Sequence, residues 1–259
     1  MDNENQLPED ENAVWEDLLD ELFALNYDQV QEILEVERKI YVELQQSPNN
    51  LSGLITLMYC QVMLGNREKA KTLGTRIWEI GGNLEAFFEF VYVENLLSLG
   101  MLDMALVLLK PRFENLRENL DLFYPSLTKF AVMTGNLTLL KRISEYPDLP
   151  EEEDILFELA DVYGEAQYAS VFKSIMKLIL ENVSEHQCSY EYELFDDRGF
   201  PEMMIVVYVN NDEAFRSRLQ TIVEDKISAL WTSMGYEQMN NIGVSIAAIQ
   251  EHEGWNIAE

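Results

Sequence analysis

Met63-Leu64-Gly65-Asn66, with Ala70 five residues after the glycine, is a short pattern that returns twice at an interval of 35 residues. The second copy is Ser98-Leu99-Gly100-Met101 with Ala105, and the third is Met133-Thr134-Gly135-Asn136 with Leu140. A weaker fourth copy, Val162-Tyr163-Gly164 with Ala169, follows after 29 residues. An interval of this size is typical of an array whose units cannot bury their apolar faces alone.

Each unit is predicted to be a pair of helices. The glycine lies between two apolar-periodic segments, where its missing Cβ allows the first helix to end in a left-handed turn. The alanine five residues later is small enough for close contact between helices. The sequence therefore predicts a mostly α protein built from stacked helix pairs.

A glycine followed five residues later by an alanine, within a helix pair of about 34 residues, resembles the tetratricopeptide repeat. The resemblance covers residues 51 to 185 and implies a solenoid that binds other proteins. In that family the first helices of successive units line a concave groove. The equivalent positions here, and their neighbours, are Tyr59, Met63, Glu94, Lys129, Met133, Glu158 and Asp161.

These groove candidates predict the chemistry of a partner. Lys129 is the one basic residue among them, so the lysine and arginine clamp that captures a peptide carboxylate in chaperone-binding relatives is not expected. A groove of tyrosine, methionine and glutamate favours a basic or amphipathic segment instead. The alternative is that Tyr59 and the methionines only fill space between helices.

The charge is extreme, with 47 acidic and 18 basic residues and a formal net charge of −29. Such a field repels phosphate backbones, and no basic cluster is apparent in the sequence, so nucleic-acid binding is not expected. The acidity favours a basic protein partner, or it serves only to keep the chain in solution. An acidic antagonist or immunity protein that masks a basic site is a special case.

The remaining global features predict a cytoplasmic protein. Cys60 and Cys188 are far apart and belong to no metal-ligand pattern, so both are expected to be reduced. No signal sequence and no long apolar span is recognisable, so no membrane association is expected.

The segments around the array have their own patterns. Residues 1–11 are polar and acidic and are expected to form a disordered tail. Asn12 is expected to cap a first helix, and a second helix runs from about Asp28 to Gln46. Pro111 is expected to bend or interrupt its helix, whereas Pro125 is expected in the first turn of the next one.

Beyond residue 185 the apolar period changes from 3.6 towards 2. Cys188 to Leu194 and Met203 to Val209 are predicted to form a hairpin, Asn210-Asn211-Asp212 to cap a long helix, and Gly243 to Ile249 to form a third strand. We therefore predict a helical-repeat array over residues 12–185 and a small α+β module, with the order ββαβ, over residues 186–259. The module is too small to bury both faces of its sheet, so it should dock on the last repeat or pair with another chain.

Catalysis is not expected. His186 and His252 are the only histidines, and neither has a partner at metal-ligand spacing. Asp196 and Asp197 fit a turn, and the acidic run that begins at Glu151 fits the start of a helix. We expect no metal and no cofactor.

Two functional hypotheses follow. The first is a non-catalytic adaptor that holds a protein segment in the groove of the array. The second places the function in the C-terminal module, as a dimerisation or regulatory domain or a small enzyme, with the array only presenting it. In both cases a homodimer through that module remains an open alternative.

Overall fold

The computed structural model describes residues 12–114, 116–144, 165–183, 188–196, 201–209, 213–234 and 242–248. These described residues form ten helices and one three-stranded sheet. In chain order the elements are α1 Ala13–Phe23, α2 Val30–Gln46, α3 Leu51–Met63, α4 Arg67–Ile80, α5 Ala86–Ser98, α6 Leu102–Glu114, α7 Leu116–Thr134, α8 Leu137–Ser144, α9 Glu165–Val183, β1 Cys188–Asp196, β2 Pro201–Val209, α10 Glu213–Met234 and β3 Ile242–Ala248.

The three repeated glycines occupy equivalent bends, as the sequence predicted. Their φ angles are 73°, 72° and 63° for Gly65, Gly100 and Gly135. At each bend the residue after the glycine donates its N–H to a carbonyl five residues back, at 2.8 Å, and the glycine N–H bonds three residues back. This is the Schellman closure of a helix. The small residues that follow, Ala70 and Ala105, and Leu140 in the third unit, are fully buried.

Alternate helices of the chain pack in succession. α1 contacts α3, α3 contacts α5, and α5 contacts α7, while α2 packs on α3 and α6 on α7. Adjacent helix pairs therefore share one core, an arrangement compatible with a helical repeat array. The described part of the fourth predicted pair is α9, which packs against α7; Gly164 and the helix predicted before it lie outside the described residues.

Of the bend or interruption expected at Pro111 the interruption does not occur, and the place expected for Pro125 needs correction. α6 continues through Pro111 to Glu114, so the proline does not interrupt it. A proline close to the helix end deprives only one carbonyl of its donor, and few further turns depend on that bond. α7 begins at Leu116, which places Pro125 in its interior rather than in its first turn.

Asn12 precedes α1, as predicted, but its side chain does not cap the helix. Its Nδ2 donates to Glu85 Oε2 at 2.9 Å, and its Oδ1 accepts from Ser52 Oγ at 2.8 Å. The amide therefore joins the start of α1 to the starts of α3 and α5. These two bonds between elements take the place of a capping bond to the first turn of α1, because Glu85 lies within reach of Nδ2 and Ser52 within reach of Oδ1.

The C-terminal elements follow the predicted ββαβ order. β1 pairs antiparallel with β2, and β3 pairs parallel with the other side of β2. β2 is thus the central strand, and all its residues from Ile205 to Val209 are buried. A strand that is buried on both faces requires cover on both sides of the sheet.

Two different parts of the chain cover those faces. Ile205, Val207 and Val209 belong to the same apolar core as the buried residues of α10 and of the helix pairs. Val206 and Tyr208, on the opposite face, pack with Tyr27 from the turn between α1 and α2. α10 also packs on α9. The module therefore docks on α9, which is one of the two arrangements that the sequence predicted. It also contacts the turn between α1 and α2.

The helices in the described part of the chain include none that is both long and apolar enough to cross a membrane.

Candidate protein-binding surfaces

The structure places most of the described groove candidates in the interior. Tyr59 is 9% exposed, and Met63, Glu94 and Met133 are more deeply buried still. Glu158 and Asp161 lie outside the described residues. A partner lying along α3, α5 and α7 would therefore meet little of these side chains unless the neighbouring elements moved.

Glu94 and Lys129 hold equivalent positions in successive units, and they contact each other. Glu94 Oε2 lies 3.4 Å from Lys129 Nζ, and its Oε1 accepts a 2.5 Å hydrogen bond from Ser126 Oγ. The lysine side chain is 21% exposed and the glutamate side chain 6%. Buried carboxylates are tolerated when they are paired and hydrogen-bonded, so this cluster joins α5 to α7.

Tyr59 belongs to an aromatic cluster under the first helix pair. The ring centroids of Tyr59 and Phe23 are 5.1 Å apart in an edge-on arrangement, and Phe23 meets Phe87 in the same way at 6.3 Å. Burial raises the pKa of Tyr59 well above its ordinary value, with smaller contributions from Tyr27 and Cys60. The Tyr59 side chain consequently packs the junction of α1, α3 and α5.

The pKa of the Cys60 thiol is raised to about 12, first by burial and second by Glu37. Its Sγ lies 3.8 Å from the carbonyl oxygen of Ile33, inside the contact between α2 and α3. A buried thiol with this pKa is protonated at neutral pH and inert towards electrophiles. Cys60 is therefore a packing residue, in agreement with its expected reduced state.

An open apolar pocket lies where α4 ends. Its volume is about 210 Å³. Residues from α3, α4, α5 and α6 and from the turn after α4 form its wall. They are Leu51, Ile77, Trp78, Gly81, Gly82, Leu84, Tyr92 and Leu108. Trp78 is 38% exposed. The Tyr92 hydroxyl donates a hydrogen bond to the carbonyl oxygen of Gly74 at 2.7 Å.

The helix beside this pocket is basic, which the sequence analysis did not recognise. α4 carries Arg67, Lys69, Lys71 and Arg76 against two glutamates. Arg67 is buried, but Lys69 and Arg76 are exposed. The sequence feature that indicates this basic helix is the occurrence of four basic residues within ten positions. It is easily overlooked because the net charge of the whole chain is strongly negative.

Arg76 is held at the edge of the pocket. Its Nη2 donates to the carbonyl oxygen of Pro48 at 2.8 Å and to Asn49 Oδ1 at 3.1 Å. Those two residues stand just before Leu51, which lines the pocket. The guanidinium and the apolar wall are therefore neighbours on one surface.

Among the described residues, no group of three or more histidine, cysteine, aspartate or glutamate side chains could hold a metal ion. Comparison of the chain with protein-family models, with curated proteins and with solved structures gave no match.

Proposed function

We propose that this protein is a non-catalytic adaptor that binds a segment of another protein on a tetratricopeptide-like array of helix pairs. The 35-residue interval, the three equivalent glycine bends and the succession of contacts from α1 to α7 support such an array. Arrays of this type present long surfaces to which polypeptide segments bind.

The observation that carries the proposal is the open pocket at Trp78. Tryptophan is enriched among the few side chains that contribute most of the binding energy at protein interfaces. Large apolar side chains are also exposed on the two helices that flank the pocket, namely Ile80, Leu106 and Val107. We place the contact at this pocket rather than along α3, α5 and α7 because most of the described groove candidates on those helices are buried.

The net charge favours a partner that is basic as a whole. A charge of −29 accelerates the approach of a cationic protein and repels anionic ones. The pocket then supplies contacts that persist after the approach. Association should therefore slow as ionic strength rises, while dissociation should depend mainly on the pocket.

The test begins with proximity labelling in the native host to obtain a partner, followed by calorimetric titration of the purified pair. Trp78→Ala should weaken binding by about 30-fold, the effect of losing one dominant interface residue. Val30→Ala is the matched control because Val30, at the start of α2, has the same 38% exposure as Trp78 and does not line the pocket. Equal affinities of both variants and the unaltered protein would exclude the pocket as the binding site.

A further inference from the structure

Arg76 has bonding capacity left over at the pocket edge. Its Nη2 makes both of the hydrogen bonds described above, and its Nη1 and Nε have no partner among the described residues. A guanidinium offers five N–H donors in a planar fork that matches a carboxylate. The unused edge of the fork is thus available to an incoming anion.

We propose that Arg76 and the Trp78 pocket form one recognition site for a polypeptide segment in which a large apolar side chain is followed by a carboxylate. The apolar side chain enters the cavity lined by Ile77, Trp78 and Leu108, and the carboxylate bonds to Arg76. This inference rests on the proposed function, because it names the chemistry of the segment that the adaptor binds.

Charge complementarity supports a partner with carboxylates at this place, because α4 carries four basic residues against two glutamates. Residues 67 to 144 contain ten basic and nine acidic residues, a net charge of +1 in a chain of net charge −29. The surplus of carboxylates belongs to the segments before and after this region. Since exposed charges are screened beyond about 8 Å at physiological ionic strength, a carboxylate bonded directly to the guanidinium of Arg76 responds to that group more than to charges farther away.

The cavity geometry sets the size of the anchor. A volume of about 210 Å³, open to solvent on one side, suits a single side chain and not a whole helix. Gly81 and Gly82 form part of the wall with positive φ angles of 64° and 132°, so backbone replaces side chains there. That leaves room for a leucine or an aromatic ring to enter next to Trp78.

The test uses the full chain labelled with ¹⁵N and observes the indole N–H resonance of Trp78, assigned with Trp78→Phe. Two probes are titrated to millimolar concentration: the acetylated and amidated peptide Gly-Leu-Glu-Asp-Gly and its neutral counterpart Gly-Leu-Gln-Asn-Gly. We expect the acidic peptide to shift the Trp78 resonance and to bind about threefold more tightly than the neutral one, because a charge-assisted hydrogen bond to an exposed guanidinium adds only a modest gain over a neutral one.

Arg76→Gln should abolish the difference between the two peptides, whereas Lys69→Gln, an exposed change on the same helix, should preserve it. Arg76→Lys keeps the charge without the fork and should give an intermediate difference. Circular dichroism of each variant confirms that the helices are intact.

Three results would overturn the inference. The Trp78 resonance could fail to respond to either peptide, or both peptides could bind equally; in the second case the adaptor proposal stands and only the carboxylate is rejected. The third result concerns the chain's own Leu7-Pro8-Glu9, in which an apolar side chain also precedes a carboxylate. This segment precedes Asn12, whose side chain bonds to Ser52 and Glu85, the sequence neighbours of the lining residues Leu51 and Leu84. If Leu7→Ser alone shifts the Trp78 resonance, the occupant is the chain itself and not a partner.

Discussion

Gly100 adopts a left-handed backbone conformation that residues with a Cβ atom disfavour, and α5 ends through this conformation. Its φ is 72°, and its N–H and that of Met101 bond to the carbonyl oxygens of Leu97 and Leu96. Gly100→Ala should lower the free energy of unfolding by about 1–2 kcal/mol, the cost of a left-handed conformation for an L-residue. Urea denaturation followed by circular dichroism measures the loss.

Gly100→Asn is the matched control for this prediction. Asparagine adopts the left-handed region more readily than alanine does, since its side chain can bond locally. The asparagine variant should therefore lie between the alanine variant and the unaltered protein. A loss for asparagine equal to or greater than that for alanine would show that crowding, and not backbone conformation, decides the position.

Single residues also show which features a sequence can predict. Gly65, Gly100 and Gly135 were predictable because a helix end is a local structure and glycine has a local reason to be there. The burial of Tyr59 and Met63 stayed an open alternative to a place in the groove, because the exposure of a side chain depends on which distant elements cover it. Tyr59 is covered by Phe23 and lies beside Tyr27, and nothing in the residues around position 59 indicates either contact.

At the scale of elements, the end of α6 is held by the side chain that follows its proline. Arg112 Nη2 donates to Glu89 Oε2 on α5, its Nη1 donates to the carbonyl oxygen of Leu108 at 2.9 Å, and its guanidinium lies 3.9 Å from the ring centroid of Phe123 on α7. One residue thus joins three helices. The guanidinium also stabilises the negative end of the helix dipole.

Arg112→Met should lower the free energy of unfolding by about 2 kcal/mol. The side chains of Arg112 and Glu89 are 14% and 18% exposed, so the variant leaves the Glu89 carboxylate largely desolvated and unpaired, with partial relief from solvent. Lys110→Met, an exposed change on the same helix, should have little effect. Chemical denaturation of both variants is the measurement, and equal midpoints would show that the three-helix junction does not depend on Arg112.

The pocket at the end of α4 could not be predicted, although each of its residues was visible in the sequence. The cavity exists because α4 and α6 stand apart at Trp78 and Leu108 while the turn at Gly81 and Gly82 supplies no side chain to fill the gap. The spacing of two helices is a property of the packed array. By contrast, β1, β2 and β3 were predictable from alternating or continuous short apolar segments and α10 from its helical spacing, because these patterns are properties of neighbouring residues.

At the scale of the whole molecule, the first turn of the array meets the last module of the chain. Tyr27 packs on Val206 and Tyr208, which are 7% and 8% exposed on the sheet face opposite the main core. The contact joins residues about 180 positions apart. The sequence predicted that the sheet needs a second cover, but the period of the array carries no information on its overall curvature, so the place of that cover could not be derived.

Tyr27→Ala should therefore loosen the far end of the chain. Removing the ring uncovers the second face of the sheet, and we expect amide hydrogen exchange to accelerate in β2, with a loss of about 1–3 kcal/mol in the free energy of unfolding for a partly buried aromatic side chain. Tyr41→Ala is the matched control, because Tyr41 follows on α2 with 45% of its surface exposed and has no contact with the sheet core. Hydrogen exchange monitored by mass spectrometry separates two cases. Faster exchange confined to α1 and α2 in Tyr27→Ala would mean that the module holds its sheet together without the array. Faster exchange in β2 as well would show that both ends of the chain form a single cooperative unit.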